Sequence, residues 1–236
     1  MQDDSDILNE QLNYYRARAR EYDESVQQTG RFAVPEEENP PTDPIIDQEW
    51  MQIITALRRL PPGQDTLELA CGTGIWTREL LAISSAVTAI DGAPEMLDVN
   101  REQLGSDPRI EYACFDLFTW QPGRQYDLVF FGFWLSHVPP DRLGDFLDKV
   151  TKATRIGGMV MLVDEPADGS RLSGPSERGL YQTRQLYDGS RYRIVKVYHS
   201  PRLIQSELER RGFSDFKLIG GQHYFALQAT HSDLMI

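Results

Sequence analysis

The sequence predicts an α/β fold: a doubly wound, mostly parallel sheet of seven strands, with a helical cap ahead of it and a β-hairpin inserted late in it. Three observations carry that prediction. From Asp65 onward, short apolar runs alternate with amphipathic helical stretches, the pattern of a parallel sheet with crossover helices on both faces. The first run, LELAC at 67 to 71, breaks into Gly72-Thr73-Gly74 before helix-forming residues resume, which is a strand-to-helix turn open to close approach by a ligand. Asp91 ends the second run, nineteen residues after Gly72, where an acidic residue in such a sheet meets a ribose diol.

Taken in order, residues 5 to 28 read as a helix, with Ile7, Leu8, Leu12, Tyr15, Ala19 and Tyr22 spaced by threes and fours. Residues 30 to 44, GRFAVPEEENPPTDP, have the proline and acid content of an exposed linker, so residues 1 to 44 form a cap and linker and 45 to 236 the main domain. A helix from Ile45 to Leu60 places Trp50, Ile53, Ile54 and Leu57 on one face and stops at Pro61-Pro62-Gly63. Strands are expected at 66 to 70, 86 to 91, 110 to 113, 127 to 131 and 158 to 163, with helices at 76 to 83, 94 to 104 and 141 to 154. Gly157-Gly158 reads as the turn into the fifth strand. An insertion at 166 to 199 contains Asp188-Gly189 between two alternating β-prone runs, a hairpin signal. A helix at 201 to 211 and strands at 213 to 219 and 223 to 229 complete the chain.

Composition removes several classes of function. With 24 Lys and Arg against 36 Asp and Glu, the formal charge of −12 works against a groove that tracks nucleic-acid phosphates. Cys71 and Cys114 lack metal-ligand spacing and read as buried thiols, so no metal site is expected. The acidic N-terminus has no signal-like apolar region and no run of about 18 apolar residues occurs, so a cytoplasmic protein without a membrane partner is expected.

The loop also selects among nucleotides. A dinucleotide site wants a third glycine under its pyrophosphate, and Thr77 stands there. Glu68, inside the first strand, would repel a phosphate but suits an ammonium or sulfonium; capping of the neighbouring helix is its alternative use. S-adenosylmethionine carries both cations together with an adenosine. An NAD-dependent oxidoreductase is disfavoured by the same two residues.

In order and spacing, LELACGTG, AIDGAPEML, YACFDLF and YDLVFFGFWLSHVP resemble successive motifs of the class I S-adenosylmethionine-dependent methyltransferases, strongly over residues 45 to 165. The resemblance implies a Rossmann-like sheet ending in an antiparallel strand, with S-adenosylmethionine as cofactor and S-adenosylhomocysteine as product. It also implies that Ala70, Cys71, Gly72 and Gly74 lie against the methionine part and Asp91 takes the ribose, with Gly92 and Met96 flanking the adenine. Asp116 would accept from the adenine amino group, with Phe115 and Leu117 beside it, while Phe131 and Gly132 close the site. Asp116 has a second use as a helix cap.

A methyl on sulfonium is already reactive, so the protein must chiefly align a nucleophile and exclude water. His137, beyond the fourth strand, is the candidate base, with His199 behind it. Tyr15 is the cap residue expected to approach the cofactor carboxylate. Phe133, Trp134 and Tyr181 suggest an aromatic wall and hence a small acceptor, most simply an oxygen nucleophile, then nitrogen or sulfur. Carbon methylation of a quinone-like ring and a catalytically inactive cofactor-binding subunit are the alternatives.

Overall fold

A computed structural model describes residues 4–26, 44–166 and 180–232. The expected linker lies outside these residues apart from Pro44, as does the stretch 167 to 179 that opens the insertion. Helix α1 (Asp4–Val26) is followed by α2 (Pro44–Arg58), and then strands and helices alternate: β1 (Gln64–Leu69), α3 (Ile75–Leu80), β2 (Ser84–Asp91), α4 (Pro94–Leu104), β3 (Ile110–Cys114), β4 (Tyr126–Gly132), α5 (Leu143–Ala153) and β5 (Thr154–Asp164). The hairpin β6 (Tyr181–Gln185) and β7 (Arg191–Val195) precedes α6 (Pro201–Glu209), β8 (Phe213–Gly220) and β9 (Phe225–His231).

The main sheet has seven strands in the order β3-β2-β1-β4-β5-β9-β8, and β9 runs antiparallel to both its neighbours. This is the Rossmann-like methyltransferase arrangement the sequence predicts. The alternation along β4 explains why the sheet takes helices on both faces: Leu128 and Phe130 pack with α2 and α3, Val129 and Phe131 with α5 and α6, and none of the four is exposed. Each such side chain is worth about 1.5–3 kcal/mol of burial. Strand order reverses between β1 and β4, and ligands in open α/β sheets bind at the carboxyl ends of the strands at that switch point.

Two local expectations need correction. Gly157-Gly158 does not precede the fifth strand but lies inside it: β5 begins at Thr154, and the pairing with β4 slips between Tyr126 and Leu128. Gly157, with φ of 76°, supplies the left-handed residue of that bulge, so the strand bends without ending. Cys71 is buried as expected, whereas Cys114 is exposed, because it ends β3 at the edge of the sheet where no strand covers it.

Helix α1 lies across the hairpin and α4. Glu10 holds Arg193 through its backbone N–H at 2.6 Å and its guanidinium at 2.7 and 3.0 Å. Gln11, buried, donates to the His137 carbonyl at 3.2 Å and accepts from the Val195 N–H at 2.9 Å, tying the helix to two segments at once. Among the described residues no helix is long and apolar enough to cross a membrane, and no group of three His, Cys, Asp or Glu is placed to hold a metal ion.

Candidate functional site

The glycine turn rests on a polar brace that the strands and helices build beneath it. Glu68 is 1% exposed, and its carboxyl bonds to the Thr77 hydroxyl on α3. Thr77 also accepts from Asn100 Nδ2 at 3.0 Å, while Asn100 Oδ1 accepts from the Tyr112 hydroxyl at 2.9 Å. Gly74 has to be glycine for two reasons: its φ is 100°, and a Cβ there would lie 2.6 Å from Asn100 Oδ1. Thr77 and Glu68, the two residues that set this loop apart from a dinucleotide loop, thus answer each other. Burial pushes the Glu68 carboxyl up to about 8, against the lowering effect of Thr77, and its Oε2 has no hydrogen-bond partner among the described residues.

Above the brace opens a cavity that encloses, with the solvent at its mouth, about 670 Å³ of space between atoms. Ala70 and Gly72 face it from the end of β1, Asp91, Gly92 and Met96 from β2 and α4, Asp116 and Leu117 from the turn after β3, and Gly132 and His137 from beyond β4. Helix α1 roofs it with Gln11, Leu12, Tyr15 and Tyr22, and Phe133 and Trp134 form an aromatic side. Ten of the fifteen predicted site residues therefore share one cavity. Five do not line it. Glu68 lies in β1 beneath the glycine turn, Cys71 and Gly74 belong to the turn without facing the cavity, Phe131 turns into the core against Phe146 at 5.3 Å, and Phe115 points outward, 51% exposed. Tyr181 and His199 are also outside the lining; His199 Nε2 sits 3.3 Å from the Val138 carbonyl, buried.

Asp91 accepts from the Gly72 N–H at 2.9 Å with Oδ2 and from the Ala93 N–H at 2.8 Å with Oδ1. A carboxylate offers about four lone-pair sites, so acceptor capacity remains for a ribose hydroxyl. Burial lifts this carboxyl to about 6, opposed by the backbone donors of Ala93, Gly72 and Gly92. A Cβ on Gly72 would meet nothing within 4 Å, so the loop leaves open space above its backbone. An acid with spare acceptor sites, an orphaned buried carboxyl oxygen and an open glycine backbone fit a ligand that joins a ribose to a cationic chain. Asp116 lines the cavity, and its Oδ1 accepts from the Phe118 N–H at 2.9 Å, holding the turn that follows.

Ala70 and Phe133 adopt left-handed φ values of 54° and 55° at the ends of β1 and β4, and both face the cavity. Such positions cost about 1–3 kcal/mol and concentrate at functional sites. At Phe133 the turn sends the ring into a cluster with Trp50, Trp76 and Tyr224.

The Tyr15 hydroxyl lies 2.8 Å from His137 Nε2, and His137 Nδ1 lies 2.8 Å from the Val195 carbonyl. A carbonyl only accepts, so Nδ1 carries the proton, Nε2 is the bare nitrogen, and Tyr15 donates to it. Burial, with the Lys196 charge second, holds His137 well below its ordinary pKa, and burial raises Tyr15 well above its own. Both groups are neutral around pH 7. Sequence reasoning named each residue but not the bond between them, because the helix that carries Tyr15 gives no sign in its own periodicity of what it will cover. Gln11 was missed altogether, since a polar residue on an apolar stripe looks like an exposed one.

A family model described as a methyltransferase domain matches residues 66–158. The solved DhpI-SAM-HEP complex is 36% identical, with a TM-score of 0.76 over 94% of this chain and 97% of that one, and the DhpI-SAH complex is 34% identical over 96% and 97% with a TM-score of 0.75. Demethylmenaquinone methyltransferase of Clavibacter sepedonicus is 32% identical over 120 residues, 50% of this chain and 48% of its own length. Malonyl-[acyl-carrier protein] O-methyltransferase 1 of Ilyobacter polytropus is 33% identical over 66 residues, 27% of this chain and 25% of its own. The matches thus span from a quarter to about half the length of these two curated relatives.

Proposed function

The chain belongs to the class I S-adenosylmethionine-dependent methyltransferases, and from that premise we propose that it moves a methyl group from S-adenosylmethionine to an oxygen of a small-molecule acceptor. The observation that favours an oxygen acceptor is the Tyr15–His137 pair, which lines the same cavity as Asp91 and the glycine turn. The cofactor supplies an electrophilic methyl group, released to the acceptor as the carbon–sulfur electron pair returns to sulfur.

In this reading the protein's residues do the rest. Asp91 takes the ribose hydroxyls, Gly92 and Met96 flank the adenine with Leu117, and Asp116 accepts from its amino group. Glu68, below the glycine turn, balances the positive end of the cofactor. An acceptor hydroxyl donates to Tyr15 Oη while Tyr15 donates to His137 Nε2, so a proton leaving the acceptor passes through Tyr15 and comes to rest on Nε2. Tyr15 then belongs to the acceptor rather than to the cofactor carboxylate. Helix α1 excludes water from the reacting atoms, which strengthens each of these contacts. We read residues 1 to 44 as a helical cap and linker and the 166 to 199 insertion as the acceptor side of the site. Phe133 and Trp134 favour acceptors with a flat or partly apolar body, and the aromatic side is the feature that keeps a ring-carbon acceptor in contention.

The test is a panel of hydroxyl, amine, thiol and activated ring-carbon acceptors with product mass spectrometry, run on the wild type, Tyr15→Phe and His137→Ala. Base catalysis is commonly worth about 10²–10⁴-fold, so kcat on a hydroxyl acceptor should drop by about that factor in both variants with cofactor affinity intact. Undiminished turnover in His137→Ala would remove it as the base. Cofactor binding without turnover on any acceptor would favour the inactive subunit.

A further inference from the structure

Lys149 is a charged residue in an apolar place. It sits on α5 with the buried Phe146, Leu147, Val150 and Ala153, is 7% exposed, and has no carboxylate within ion-pair distance among the described residues. Its Nζ donates instead to two backbone carbonyls of the turn after β3, Leu117 at 3.0 Å and Phe118 at 2.6 Å. An ammonium withdrawn from water without a counter-charge is costly. Burial lowers its pKa from the ordinary lysine value, opposed by the charges of Asp116 and then Asp145.

The turn itself explains what the ammonium offsets. Thr119 and Trp120 donate to the Asp116 carbonyl at 3.0 and 2.8 Å, closing one helix-like turn. To continue it, the Phe118 carbonyl would accept from residue 122, which is Pro122 and has no N–H. Among the described residues no backbone N–H reaches the carbonyl of Leu117 or of Phe118. Lys149 supplies the missing donors, as basic side chains do at the end of a helix, but from a different element. The turn so held carries two residues of the cavity wall, Asp116 and Leu117, and the Phe118 ring lies 5.5 Å from a third, Trp134. Asp116 Oδ1 accepts from the Phe118 N–H inside the same turn, so the turn moves as a unit and Lys149 ties that unit to α5.

We propose that Lys149 is a positioning residue for the adenine of the cofactor: by holding the carbonyls of Leu117 and Phe118 to α5, it sets Asp116 and Leu117 where they select a base that bears a 6-amino group. This rests on the methyl-transfer reading, in which Asp116 accepts from the adenine amino group and Leu117 flanks the ring. An N–H···O bond keeps its strength only over about 2.7–3.2 Å, so a turn that drifts by about 1 Å loses the amino group. The apolar slot beside Leu117 tolerates the same drift, because contact with a flat ring is not directional. Lys149 therefore acts on the choice of base more than on the burial of a ring.

The experiment is calorimetry on the full chain with S-adenosylhomocysteine and with S-inosylhomocysteine, in which a carbonyl replaces the amino group and meets the Asp116 carboxylate acceptor to acceptor. The wild type should prefer S-adenosylhomocysteine by about tenfold or more, as expected for a hydrogen bond to a charged group. Lys149→Met, which keeps an apolar stem and removes the donors, should lose most of that preference, and Lys149→Arg should restore part of it. A general loosening of the fold would weaken both ligands alike and leave their ratio unmoved. Lys149→Gln, with an amide donor and no charge, is read in the same way should Lys149→Met fail to fold. A ratio unchanged in the neutral variant overturns the proposal. Asp116→Asn separates the two levels. A preference untouched there strikes the adenine assignment and this inference with it, whereas a preference lost in Asp116→Asn but kept in Lys149→Met strikes this inference alone.

Discussion

Asp91 accepts two backbone hydrogen bonds and is still lifted by burial to about 6, so its charge changes within an ordinary assay range. Ribose hydroxyls donate best to the ionised form. Cofactor affinity is therefore expected to fall by up to about tenfold per pH unit below about pH 6. Calorimetry from pH 5 to 8 on the wild type and Asp91→Asn checks this, since the variant should lack that acid limb. Asp91→Ala should cost about 1–3 kcal/mol of cofactor binding through the unpaired hydroxyls. Glu68, raised to about 8, adds a second limb of the same sign: a cation above it favours its ionised form, so affinity climbs through about pH 8 and Glu68→Gln flattens that climb. Folding responds oppositely. Both acids hold their protons more tightly folded than unfolded, so the cofactor-free protein should lose stability as pH rises from 4 to 8, and melting temperature against pH measures it. At this scale the sequence displayed Asp91 plainly, through its distance from Gly72. The Glu68–Thr77 contact was not legible, because it needs β1 and α3 already packed.

At the scale of elements, α1 roofs the cavity, and Gln11 ties it to two segments at once. Gln11→Ala leaves the Val195 N–H and the His137 carbonyl without that partner in a buried place, a loss of about 1–3 kcal/mol. Acceptor KM should rise, and limited proteolysis should cut within α1 sooner than in the wild type. The end of β4 is the other constrained element. A Cβ on Gly132 would lie 2.4 Å from Trp76 Nε1, in a ring already packed against Trp50 at 4.9 Å and Phe130 at 5.2 Å. Gly132→Ala should therefore destabilise the fold by about 1–3 kcal/mol, seen as a lower melting temperature. Strand and helix placements followed from periodicity, and the hairpin from Asp188-Gly189, where Gly189 takes a φ of 86°. The β5 bulge did not follow, since a glycine pair inside a strand has the same local signature as one ahead of it.

Across the molecule, the strand order β3-β2-β1-β4-β5-β9-β8 puts the ends of β1, β2 and β4 side by side, and the four motifs of the sequence become one wall of a single cavity. That wall was legible because each motif sits at a strand end, where topology alone decides what it meets. The opposite wall was not, because α1 and the hairpin are brought over the sheet by contacts such as Glu10 with Arg193, between residues 183 positions apart. The donor was thus readable from local pattern and the acceptor side from the assembled structure only. The most direct test of the account is to supply S-adenosylmethionine carrying an isotope-labelled methyl carbon with a panel of hydroxyl acceptors and locate the label by NMR. The account expects the label on an acceptor oxygen, with transfer suppressed in Tyr15→Phe. A label bonded to carbon, or transfer that ignores the loss of the Tyr15 hydroxyl, would contradict it.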